Sequence, residues 1–161
     1  LIALTSAQAT NANVIVLTWG TTVEDLDAHL QADSASSASP DHVYWPTNNN
    51  GSSSTWAMLD LDDQNGSGPE TITINLDSTS GPMQNSVTKA CYYVQIWTSG
   101  KSFSQTGAQV QLFQSDGTVL TNFDVPTDTT YTTKPYWHVF DLDSNLNITT
   151  KNTVSSSVPS C

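Results

Sequence analysis

Short runs rich in β-branched and aromatic residues recur along this chain, separated by clusters of Gly, Asn, Asp, Ser and Pro, and no useful length shows apolar residues at helical spacing. That punctuation predicts an all-β fold. Strands are expected over residues 1–9, 14–18, 26–30, 42–45, 56–61, 71–76, 91–97, 108–114, 119–125 and 137–142. Turn signals fall between them at 48–51, 65–66, 80–82, 99–100 and 116–117. Asp116-Gly117, flanked by two apolar runs, is the clearest hairpin turn. Short strands of unequal length suit a two-sheet antiparallel β-sandwich, jelly-roll-like, better than a closed barrel. Residues 14–161 are read as one such domain, preceded by a strand and connector over 1–13. Residues 33–40 read as a surface loop and 152–160 as a loose tail.

Charge narrows the partners. The 161 residues carry 15 Asp plus Glu against 4 Lys and no Arg, a formal net charge of -11. Phosphate neutralisation needs clustered cations, and lysines at 89, 101, 134 and 151 form no basic patch, so nucleic acid is excluded as a partner. An anionic membrane surface would repel the chain, and no apolar run is long enough to insert in one. Apolar residues at 37% and five Trp nevertheless permit a packed core. The excess of Ser and Thr and the scarcity of Glu point to a secreted, extracellular or cell-surface β-protein. No charged segment followed by an apolar one opens the chain, so a processed N-terminus is expected. Cys91 and Cys161 make an even count, expected to pair as a disulfide. The triplets beginning at Asn50, Asn65 and Asn147 are candidate glycosylation sites.

The acids cluster. In 24–30, strand geometry places Asp25, Asp27 and His29 on one face and Leu26 and Leu30 on the other. In 59–70, alternation groups Asp60 with Asp62, and a Gly-rich turn leads on past Asp63 to Glu70. Carboxylates brought this close repel one another unless a cation, a proton or wide solvation intervenes. Hard oxygen donors favour calcium over zinc. The segment is not an EF-hand, because it lacks the alternating ligands and the placed glycine, and a pair of solvated acidic turns is the competing reading. Asp141-Leu142-Asp143 adds either a ligand or a strand end.

The ordered set Leu17-Thr18-Trp19-Gly20, Asp25-Leu26-Asp27-Ala28-His29-Leu30, His42-Val43-Tyr44-Trp45, Leu59-Asp60-Leu61-Asp62-Asp63, Gly68-Pro69-Glu70-Thr71 and Trp137-His138-Val139-Phe140-Asp141 resembles the YfaP-like domain of unknown function. The likeness spans roughly residues 14 to 143 and leaves both the N-terminal segment and the Cys161 tail unexplained. It implies a secreted or surface β-sandwich with an acidic site, and no established enzymatic activity. Taken with the resemblance, Asp25, Asp27, Asp60, Asp62, Asp63 and Glu70 are the expected ligands of Ca2+. His29 and His42 either orient those carboxylates or are hydrogen-bonded structural residues.

Catalysis is not expected. Paired acids perform glycoside hydrolysis, but a general acid needs an apolar setting, and these acids lie in polar, turn-rich sequence. No nucleophile elbow or phosphate-cradling loop is present. Trp45, Trp56, Trp97, Tyr92, Tyr93, Tyr131, Tyr136 and Trp137 offer a glycan-stacking platform, against which stands ordinary core packing. Adjacent Tyr92 and Tyr93 face opposite sides of a strand, so at most one belongs to the core. The uncharged segment containing Leu1, Ile2, Ala3, Leu4, Thr5 and Ala7 is an expected assembly strand, able to pair within its own sheet or with a neighbour. Head-to-tail donation would build a filament of identical subunits. The expectation is a non-enzymatic, calcium-stabilised structural or adhesive protein, partnered by itself or other surface proteins. A secreted carbohydrate-binding module is the alternative.

Overall fold

A computed structural model describes residues 12–33, 35, 41–45, 56–64, 66–76, 81–82, 86–127, 130–131 and 133–161. The assembly strand around Leu1–Ala7 and the sequons' Asn50 and Asn65 lie outside the described residues.

The fold is a sandwich of two five-stranded antiparallel sheets. The strands are β1 (Ala12–Thr18), β2 (Leu26–Ala32), β3 (His42–Val43), β4 (Ala57–Leu61), β5 (Glu70–Asn75), β6 (Lys89–Ile96), β7 (Gln109–Phe113), β8 (Val119–Asp124), β9 (Tyr136–Asp143) and β10 (Ile148–Ser155). One sheet runs β4-β5-β1-β7-β8 and the other β10-β9-β6-β2-β3. Period-two alternation turns Leu26, Ala28 and Leu30 of β2 inward to meet Ile72 and Ile74 of β5, with Trp56, Tyr92, Phe140 and Trp137 filling the bulk of the core. Asp116-Gly117 makes the β7–β8 turn as expected: Gly117 takes φ +83°, a left-handed backbone that glycine adopts without Cβ strain, and its N–H donates to the Gln114 carbonyl.

The tail is a correction. Residues 148–155 are an edge strand paired with β9, so the expected loose segment from 152 begins inside β10 and loosens only after Ser155. Its middle, Thr149 to Thr153, is exposed throughout, so the alternation that advertises a strand is missing. The Cys91–Cys161 disulfide then ties the end of this segment to β6, closing a separation of 70 residues. The strand expected over 42–45 is shorter, since β3 pairs only at His42 and Val43.

Tyr92 lies in the core, and Tyr93 points to the outer face, in agreement with the alternation. Both are buried nonetheless. His29 stacks on the Tyr93 ring at 4.7 Å and Tyr44 stacks on His42 at 4.1 Å, so an aromatic layer covers the outside of β2 and β6.

Candidate metal centre and adjoining pocket

Two architectural facts bring the acids together. Because β3 pairs with β2 only at Leu30 and Gln31, the first half of β2 has no strand partner on this edge among the described residues. Glu70, the first residue of β5 and on the inward face of the opposite sheet, reaches across the sandwich to that edge, and Ala28 N–H donates to its Oε2 at 2.7 Å. The loop leading to Glu70 is held in place by Trp19, whose N–H donates to the Ser67 carbonyl at 3.1 Å and whose indole N–H donates to the Val23 carbonyl. Gly68 sits at φ +80° against this indole, where an added Cβ would lie 2.8 Å from the ring.

Ligand-capable oxygens of Asp25, Asp27 and Glu70 all lie within 4.8 Å of one another. Asp62 joins them closely enough to raise the pKa of each, and Asp63 acts in the same direction on Asp25. Glu70 is 1% exposed. Its Oε1, Asp25 Oδ1 and Asp62 Oδ1 are buried without a hydrogen-bond partner. The other Asp62 oxygen accepts from Gln64 Nε2 at 2.7 Å. Asp63 lies over Gly66. Asp60 is not in the trio: its Oδ2 accepts from Thr73 Oγ1, a residue that alternates with core-facing Ile72 and Ile74 and so lies on the outside of its sheet. The bulge between Leu59 and Leu61 breaks the alternation that grouped Asp60 with Asp62 in the sequence.

Burial, and then the neighbouring charges, dominate the electrostatics. Desolvation pushes Glu70 up to about 10, against the Ala28 hydrogen bond that favours its ionised form, with Asp27 and Asp62 adding to the rise. Desolvation, Asp25 and Asp62 raise Asp27 to about 7. Asp25 is raised by burial and by Asp62 and Asp63, while Lys134 opposes the shift. A cluster with these properties at neutral pH holds either protons or a cation. A hydrogen bond between the Glu70 and Asp62 side chains adds to the rise of Glu70, because a proton on Glu70 can be donated to the Asp62 carboxylate; with both groups ionised neither has a hydrogen to give, and their facing oxygens are left without a donor.

The histidines are structural neighbours. His29 Nδ1 lies 3.0 Å from His42 Nε2, and Tyr93 Oη lies 3.2 Å from the same His42 nitrogen while donating to Gln31 Oε1. Burial, with a smaller contribution from His42, drives His29 down to about 3, so it is neutral. Beside the acids, a pocket of about 280 Å3 is walled by Tyr44, Trp45 and Trp97 and floored by Asp25, Asp27 and His29.

The third acidic run is spent elsewhere. Asp141 binds Lys89 at 3.2 Å, Lys151 at 3.1 Å and His138 at 2.7 Å. Burial alone would raise its pKa, but the hydrogen bonds from Lys151, His138 and Lys89 outweigh it and hold the carboxyl below the usual range. Cys91, His138 and Asp141 are close enough to share an ion, but the Cys91 sulfur is committed to the disulfide. Asp143 accepts from the backbone N–H groups of Asn145 and Asn147, and from Asn147 Nδ2 at 2.8 Å. The exposed Asn147 thus uses for this turn the nitrogen that a glycan would occupy.

What the sequence did not reveal is the pocket: Trp45 and Trp97 are far apart in the chain, and only the β2–β6 pairing and the β3 connection bring them to one rim. No family model matches the chain, and no curated protein or solved structure shows significant similarity to it. The likeness to the YfaP-like domain therefore rests on the motifs themselves.

Proposed function

We propose that this protein is a non-enzymatic extracellular β-sandwich, stabilised by calcium at Asp25, Asp27, Asp62 and Glu70, that serves as a structural or adhesive unit of a surface assembly. The observation carrying the cation is one acidic cluster whose buried oxygens, Asp25 Oδ1, Asp62 Oδ1 and Glu70 Oε1, receive no hydrogen from the rest of the chain when the acids are ionised; the competing partner is a proton shared between Glu70 and Asp62. A buried polar atom left unpaired costs about 1–3 kcal/mol, and more when charged, so three together favour a missing partner of positive charge. All donors are oxygens, the set a hard cation takes. The cation's role in this reading is to join the sheets: Asp27 belongs to one, with Asp25 just before the same strand, Glu70 to the other, and Asp62 to the loop between β4 and β5. Asp60 of β4 is engaged with Thr73 of β5.

The test is a thermal melt with EGTA and with excess calcium. A ligand bound only by the folded state raises apparent stability by about 2.7 kcal/mol at a hundred times its Kd. The melting temperature is expected to rise with calcium in the natural chain, and the rise to vanish in Glu70→Gln and Asp62→Asn. An unchanged melt on chelation, with no calcium retained by the purified protein, would leave solvated or proton-sharing acids as the correct reading.

Assembly by strand donation is supported by a second feature. β8 and β10, the last strands of their sheets on one side, have no further partner among the described residues, and a groove of about 730 Å3 opens beside them. Leu76, Leu120, Leu146 and Ile148 line it, and Asn13 stands at its wall where residues 1–11 join β1. In this reading the groove receives the uncharged strand of a neighbouring copy. Deleting residues 1–11 is expected to abolish filaments seen by electron microscopy and to leave the melt unchanged. Filaments formed by the truncated chain would refute donation.

A further inference from the structure

Of the five tryptophans, Trp19, Trp56 and Trp137 are buried, whereas Trp45 and Trp97 remain 52% and 53% exposed. Both line the same pocket, the one that opens beside the acidic cluster. Leaving two indoles half in water costs the fold the burial of large apolar surfaces, at about 25 cal/mol per Å2, and among the described residues nothing in the packing of the sheets requires it. Large apolar surface gathered into a concavity with convergent polar groups is the general form of a small-ligand site.

The lining specifies the ligand. Trp45, Trp97 and Tyr44 present flat apolar faces, while Asp25, Asp27 and His29 bring acceptors and a ring nitrogen. His29 Nε2 is buried without a hydrogen-bond partner, and the residue is 6% exposed. Gln64 and Gln95 complete the wall with side-chain amides. A purely apolar ligand would strand these polar groups out of water. An ammonium ligand meets a different objection: Lys134 Nζ already sits 3.3 Å from the centre of the Trp97 ring, and its charge acts on both Asp25 and Asp27. A second cation there, beside a bound metal ion, would be repelled. A neutral polyol with one apolar face meets all of these conditions, and among biological ligands that is the pyranose ring of a saccharide. Its C–H face suits the indoles, and its hydroxyls are hard oxygen donors of the kind calcium accepts. The volume, about 280 Å3, lies just below the roughly 300 Å3 at which pockets for drug-sized ligands begin, so it fits a short stretch of a glycan.

We infer that this pocket binds a neutral saccharide, stacked on Trp45 and Trp97, with His29 Nε2 bonded to one hydroxyl and further hydroxyls directed to a cation held by Asp25 and Asp27. The part played by the cation rests on the calcium reading above; the stacking does not. In an assembly of identical subunits, this site would let the surface structure hold glycans along its length.

The experiment is a tryptophan-fluorescence titration of the full chain with neutral hexasaccharides of glucose, mannose, xylose and galactose, each in calcium and in EGTA. The expected result is saturable binding of at least one hexasaccharide. It should weaken tenfold or more in Trp45→Ala and in Trp97→Ala, and likewise in EGTA. Both variants should keep the natural chain's calcium-dependent melt, since neither residue is in the core. His29→Gln, which keeps a hydrogen-bonding group, should retain more binding than His29→Leu. No binding across the panel, or binding indifferent to both tryptophan substitutions, overturns the saccharide site whatever the melt shows. Binding that depends on the tryptophans but is equal in calcium and EGTA overturns the cation's part and keeps the stacking. A melt insensitive to calcium tells against the metal centre separately, so the two failures are distinguishable.

Discussion

Glu70 shows how much chemistry one residue can carry when its position is set by two sheets. It satisfies the Ala28 N–H on the open edge of β2 with one oxygen and aims the other at the acids of the opposite layer. The pH behaviour follows. Without a cation, the folded chain holds protons on Asp27 and Glu70, whose pKa values are raised to about 7 and about 10, that the unfolded chain releases near its ordinary carboxylate values. A raised pKa contributes stability that is complete below the unfolded value and is lost as pH climbs through the folded one. The groups facing the pair are Asp25, Asp62 and Lys134; Asp141, whose pKa is lowered, contributes with the opposite sign in acid, and so do His29, His42 and His138, whose lowered pKa values make stability rise with pH until the unfolded histidines lose their protons near their ordinary value. Above the histidine range only the raised acids remain, so the melting temperature in EGTA is expected to fall between about pH 7 and about pH 9. In saturating calcium, which displaces the protons, this fall should be largely abolished, so the calcium-induced shift should grow with pH. Scanning fluorimetry across that range checks both signs. An EGTA curve that rises with pH in this window would mean that the acids are not protonated in the fold.

At the scale of elements, the loop between β4 and β5 is the part that turns two acidic runs into one site. Its course depends on a glycine that packs where a side chain cannot. Gly68→Ala places a Cβ 2.8 Å from the Trp19 ring at φ +80°. Gly117→Ala, at φ +83° in the β7–β8 turn, meets nothing within 4 Å and serves as the control. The left-handed conformation alone costs roughly 1–2 kcal/mol, so the turn variant should lose about that much in urea unfolding. The loop variant should lose more, by about 1–3 kcal/mol of added overpacking, and should also bind calcium more weakly. Equal losses would show that the Trp19 contact does not set the loop. Elements also differ in how legible they are. β2 was readable because the core-facing Leu26, Ala28 and Leu30 alternate with the polar Asp27 and His29. β10 was not, because it is an edge strand whose middle is exposed on both faces and so carries no period. β4 was readable as a strand, but its bulge at Asp60 was not, since the bulge arises from pairing with β5.

For the whole molecule, closure of the sandwich depends on its ends. The disulfide spans a separation of 70 residues, and in the chain-entropy model its removal costs about 4 kcal/mol. Cys161→Ser is expected to lower stability by that order in urea unfolding, with the loss shared by Cys91→Ser and not increased in the double variant. Additive losses would mean that each cysteine acts by its own packing. The chain alone determined the all-β class, the two-faced character of its strands, the pairing of its only two cysteines and the acidic nature of the site, because these follow from local alternation, composition and count. The structure decided which acids meet and what stands beside them. Asp25 and Asp27 join Glu70 and Asp62 because β3 leaves an edge of β2 open and the opposite sheet fills it, while Asp141 is taken by His138 of its own strand and by two lysines that strand order delivers from β6 and β10. Trp45 and Trp97 share a rim for the same reason. Periodicity fixes the face on which a residue lies, but the partner across that face is chosen by strand order and sheet packing, which bring together residues with no local relation in the sequence.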